Sequence, residues 1–174
     1  MVLVGQYAGR HGSSNPGNSQ GGSTAPADNP DLTDFKHAVA VEATDAQVTQ
    51  FKALAKCTNV ARQMAQILRQ SGSESAVQQA TALQFAVDEV QRQDRDFLKT
   101  FSDAQASGLK RQTKKLNQSD ATVTKEARKL AAHLDQIPPD PQRLQEAATS
   151  MEQALATLQS DQTGLSKEMG MEAH

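Results

Sequence analysis

From Leu109 to Ile137 the positions Leu109, Thr113, Leu116, Asp120, Val123, Ala127, Leu130, Leu134 and Ile137 follow one another at steps of four and three without a slip. That spacing holds one side of an α-helix in register for eight turns or so. A helix with so long an apolar seam must bury it against other helices. The rest of the chain supplies them. Val48, Phe51, Leu54, Cys57, Ala61, Met64 and Leu68 mark a first helix over about 45–70. Ala80, Leu83, Val87, Val90, Asp94 and Phe97 mark a second over about 75–100. Leu144, Ala148, Met151, Leu155, Leu158, Gln162 and Leu165 mark a fourth over about 141–168.

The punctuation fits four helices. Ser71-Gly72-Ser73 closes the first, with Gly72 available for a left-handed C-cap. Pro138-Pro139-Asp140-Pro141 stops the third, and Asp140 with Pro141 can open the fourth. Helices of about 26–35 residues, roughly 40–50 Å long, predict an all-α antiparallel four-helix bundle made of two hairpins. The alternative is one long central helix from about 75 to 137 flanked by two shorter ones, because Thr100-Phe101-Ser102 is a short link without Gly or Pro. Aromatic residues are only 3% of the 174, and there is no Trp. Such a chain packs its helices closely on Ala, Leu and Val.

Residues 1–34 read as a disordered tail or tether, since 5–31 are crowded with Gly, Ser, Asn and Pro. A single helical domain is expected over 35–174. FKHAVAV, residues 35–41, alternates like a strand, but with no second strand to pair with it is expected to dock as an extended segment. The start, MVLVGQYAGRHG, lacks the longer apolar run of a signal peptide, and no stretch reaches transmembrane length. A flexible region ahead of a folded domain suits an exported protein whose leader is missing from the sequence; a cytoplasmic protein is the alternative. Cys57 is the sole cysteine, which excludes an intrachain disulfide or thiolate cluster and suits a small core residue.

Catalytic signatures are missing. There is no Gly-x-Ser-x-Gly elbow, phosphate loop or Cys–His spacing, so no enzyme and no cofactor is expected. Asp94 and Asp120 each interrupt an apolar seam. A buried lone carboxylate is costly, which predicts a register-setting partner (Lys, Arg or Gln) on a facing helix, or partial exposure. A carboxylate metal centre in a bundle normally draws on Glu-x-x-His pairs. None is present, so no metal ligand is assigned, and His11, His37, His133 and His174 form no evident cluster.

The net charge of −2 gives no reason to expect a general nucleic-acid binder. One helix face is nevertheless strongly basic. Lys110, Arg111, Lys114, Lys115, Lys125, Arg128 and Lys129 lie opposite the Leu seam of the third helix, a stripe about 30 Å long at helical rise. It is the candidate partner-binding surface. Without interleaved aromatics it does not favour base stacking, so the expected partner is a protein or an unfolded polypeptide.

Finally, the chain writes one phrase twice: Ala43-Thr44-Asp45-Ala46-Gln47 and Phe101-Ser102-Asp103-Ala104-Gln105. Each is a capping box, in which the hydroxyl accepts from the amide three residues on and the Gln reaches back. The pair resembles the motif of the periplasmic LTxxQ-motif proteins, the Spy and CpxP group of helical stress proteins, with Ala43 and Phe101 standing where that motif has Leu and Ser102 where it has Thr. The resemblance implies an exported helical protein that binds other polypeptides without ATP, often as a homodimer with a cradle-like surface. A structural or adaptor bundle with one dedicated partner is the competing expectation. A metal- or ligand-binding bundle built on Asp94 and Asp120 is a third.

Overall fold

The computed structural model describes residues 40–171 together with Lys36. The expected tail, residues 1–34, lies outside the described residues. The unit that begins at Val41 holds the whole core. Its elements are α1 (Asp45–Gln70), α2 (Ser73–Lys99), a one-and-a-half-turn α3 (Asp103–Gly108), α4 (Lys110–Leu134) and α5 (Pro141–Glu168). There is no strand among the described residues.

Each junction follows from local chemistry. Thr44 and Ser102 accept from the amides of Gln47 and Gln105 and complete both capping boxes. Asp140 accepts from the amide of Gln142, with Pro141 in the first turn of α5. These three sites satisfy amides that a helix start otherwise leaves unpaired. Gly72 departs from expectation. With φ −75° and ψ 164° it is extended, not left-handed, and it serves as the N-cap of α2, while Ser71 ends α1 by returning its amide to the Leu68 carbonyl. Among the described residues the left-handed glycine is Gly170, at φ 76°, beyond α5.

Side-chain bonds fix the direction of each packed pair. Arg62 on α1 reaches Gln159 on α5 (2.6 Å), and Gln66 reaches Glu152 (2.6 Å). Gln84 on α2 donates to the Ala127 carbonyl of α4 (3.0 Å), while Gln91 donates to the Asp120 carbonyl (3.0 Å) and Thr124 (2.8 Å). In both sets a later residue on one helix meets an earlier one on the other, so these neighbours are antiparallel. The bundle is therefore compact, with α5 packed on α1, α2 and α4. The long central helix is excluded.

After α3 the backbone leaves helical geometry at Leu109 (φ −112°, ψ 19°), immediately after Gly108. The expected third helix is thus two pieces, α3 and α4, broken at Leu109.

The predicted seams are largely the buried ones. Every seam residue named for α2 and α5 is buried. On α1 the buried line instead runs Leu54, Thr58, Ala61, Ala65 and Leu68, and Val48, Phe51, Cys57 and Met64 are only partly covered. Ile137 is a correction: helix α4 stops at Leu134, and Ile137 is 97% exposed in the turn that follows. FKHAVAV is another. Lys36, Ala40 and Val41 are helical, not extended, and Val41 is fully buried.

Candidate functional site

Three groups of polar or charged side chains stand apart from ordinary bundle packing. The first joins the two repeated phrases. Gln47 Nε2 donates to Gln105 Oε1 (2.9 Å), and Gln105 Nε2 donates to Gln47 Oε1 (2.8 Å). Each oxygen also accepts from its own cap: Thr44 N to Gln47 (3.0 Å) and Ser102 N to Gln105 (3.0 Å). Each amide nitrogen then reaches the carbonyl two residues ahead of the other cap, Gln47 to Thr100 O (3.2 Å) and Gln105 to Glu42 O (3.1 Å). The two boxes obey one rule and clasp each other reciprocally. Sequence reading finds each box, because its bonds span three residues. It misses the clasp, whose partners lie 58 residues apart.

The second group is in the interior. Asp94 on α2 is fully buried, and its Oδ1 accepts from Gln162 Nε2 of α5 (3.0 Å). Asp120 of α4 feels the Asp94 charge, and Asp94 Oδ2 and Asp120 Oδ1 are both buried without a hydrogen-bond partner. Burial raises the pKa of both carboxyls. Asp120 is pushed up to about 8 by burial first and then by the neighbouring Asp94 charge. At neutral pH Asp120 therefore carries the proton. The Gln partner expected on a facing helix is there, but the two aspartates also meet each other. Antiparallel pairing of α2 with α4 would have placed them opposite, had the compact bundle been certain from the sequence.

The third group is the basic face. All seven residues of the stripe, Lys110, Arg111, Lys114, Lys115, Lys125, Arg128 and Lys129, are exposed on α4. Lys129 pairs with Glu126 at 3.7 Å. The other six form no ion pair with a described residue. At its N-terminal end the stripe borders an open groove of about 540 Å³, whose lining includes the apolar Leu98, Phe101 and Ala106 together with Lys110, Thr113 and Lys114. The sequence showed the charge. It did not show the apolar side chains beside it, Leu98 of α2 and Phe101 of the link that follows.

Among the described residues no group of three or more His, Cys, Asp or Glu is placed to hold a metal ion, and no helix is long and apolar enough to cross a membrane. Cys57 is half-buried, and burial, with Glu89 and Asp94 nearby, pushes its thiol up and away from nucleophilic character. His133 is half-buried; His11, His37 and His174 lie outside the described residues. No family model, curated protein or solved structure matches the chain.

Proposed function

We propose that this protein is a non-enzymatic, exported helical protein that binds other polypeptides, in the manner of an ATP-independent chaperone-like or envelope-stress protein. The observation that carries this reading is the exposed, largely unpaired cationic face of α4 beside a groove with an apolar wall. Unfolded acidic segments offer both carboxylates and bulky apolar side chains. Long-range attraction would draw such a segment in, and burial of its apolar side chains against Leu98 and Phe101 would hold it. The mutual clasp of the two capping boxes supports treating the repeated phrase as one paired device, which is the basis of the likeness to the Spy and CpxP group. Homodimerisation is part of that proposal.

A second reading is an adaptor with one dedicated partner, favoured by the confinement of the apolar wall to one end of the stripe. Both readings are tested by binding of the purified chain to an unfolded acidic protein across a salt series. The variant K110A/R111A/K114A/K115A is measured in parallel. The proposal expects affinity that falls with salt and drops at least roughly tenfold in the variant, as removal of several contacting charges should produce. Salt-independent binding, or a variant that binds as well as the parent, would refute the role of the stripe. Suppressed aggregation of several unrelated clients separates the chaperone from the adaptor.

A further inference from the structure

We infer that Asp94, Asp120 and Gln162 form an interior proton-binding site that ties α2, α4 and α5 together, so that the stability of the bundle follows the pH outside it. The geometry makes the case. Two carboxyl groups from different helices meet in the core, where two like charges cannot both be tolerated. The amide of Gln162 donates to Asp94 Oδ1, which favours Asp94 as the ionised acceptor and leaves Asp120 to donate. Asp94 Oδ2 and Asp120 Oδ1 are each buried without a hydrogen-bond partner. A shared proton gives both a role.

The surroundings do not supply a competing counter-ion in the core. On α2, Arg95 is exposed and its charge favours the ionised forms only weakly, as the last of the contributions to either carboxyl. From α1 the facing titratable group is the Cys57 thiol, whose own ionisation Asp94 opposes. From α5 the neighbours are Gln162 and Asp161, the latter engaged by the Ser119 hydroxyl. None neutralises a second carboxylate at this position.

The sign follows from linkage. Asp120 titrates near 3.8 in an unfolded chain and near 8 in the folded one. Between these values the folded state holds a proton that the unfolded state has released. Stability is then greatest below about pH 4 as far as this group is concerned, falls as pH rises, and levels off above about pH 8. The slope across that window corresponds to one proton, or up to a tenfold fall in the folding equilibrium constant per pH unit.

Denaturant unfolding of the full chain is measured at a series of pH values across that window, for the parent and for Asp120→Asn. The parent should lose stability with that slope, and Asp120→Asn, which cannot release a proton, should lack this component. Because the variant could fold poorly, infrared spectra of the unmodified protein supply a separate reading: a protonated-carboxyl band at near-neutral pH that vanishes above about pH 8. Parent and variant curves of equal slope, or no protonated carboxyl at near-neutral pH, would overturn the inference.

Discussion

The two ends of this bundle are built to different standards. At one end, the start of α1, the end of α2, α3 and the segment after α5 are bound to one another: the Gln47–Gln105 clasp sits there, Ala43 N donates to Met169 O (2.9 Å), and Val41, Met169 and Met171 are buried. At the other end, α1 turns into α2 through Ser71 and Gly72, and α4 turns into α5 through 135–140. There α2 begins without a side-chain cap, Ile137 stands in solvent, and the cross-links include the bond from Gln145 to the Ser71 carbonyl (2.6 Å) and the Arg69–Glu152 ion pair (2.8 Å). The first end uses polar groups from distant parts of the chain to satisfy each other. The second relies on local turns. A buried polar network that is fully paired fixes one arrangement of its helices, so the closed end sets the register and the open end follows.

The largest effect should come from removing the apolar support of the closed end. Phe97 is fully buried and packs between Phe51 (centroids 5.6 Å) and Phe101 (5.3 Å, edge to face). Phe97→Ala should cost about 3–5 kcal/mol in denaturant unfolding, from lost burial and the cavity left behind. Gln105→Ala comes next. It removes the side-chain half of the box at Ser102 and takes one partner from the Gln47 amide group and one from the Glu42 carbonyl, at a cost of about 1–3 kcal/mol. A loss of only a few tenths there would mean that the clasp does not distinguish the two ends.

Hydrogen exchange compares the ends without mutation. The Gln47 and Gln105 amides each donate to a cap hydroxyl, whereas the first amides of α2 have no side-chain acceptor. The capped amides should exchange at least about tenfold more slowly than those of Ser73 and Glu74, because opening them requires breaking the closed end. Equal rates would remove the contrast.

How much of this could be read from the letters depends on the reach of each interaction. Capping boxes, the Asp140–Pro141 start and the α2 and α5 seams depend on residues three or four apart, and they were legible. The clasp, the meeting of Asp94 with Asp120 and the groove beside Phe101 depend on which helices become neighbours, which no local pattern specifies. The break at Leu109 was hidden because Leu109 keeps its place in the seam and is fully buried while its backbone leaves the helix. Ile137 shows the converse. It kept the period, but three prolines within four residues ended the helix before it. The basic stripe is visible as charge, yet its apolar neighbours are not, since Leu98 and Phe101 reach the groove from α2 and the link after it.

The smallest expected effect concerns the open end, and it is a gain. Thr44, Ser102 and Asp140 each give a side-chain oxygen to the first turn of a helix; Gly72 has none to give. Its backbone is extended and a Cβ there would meet nothing within 4 Å, so a larger residue fits without strain. Gly72→Asp should accept from an amide of the first turn of α2 and place negative charge at the helix N-terminus, stabilising the fold by about 0.5–1 kcal/mol. Gly72→Ala separates the causes. It restricts the unfolded chain in the same way but offers no acceptor, so a gain in Asp that Ala does not share belongs to the cap. If Asp and Ala behave alike, the open end is loose for some reason other than its missing cap, and the difference between the ends lies in the clasp alone.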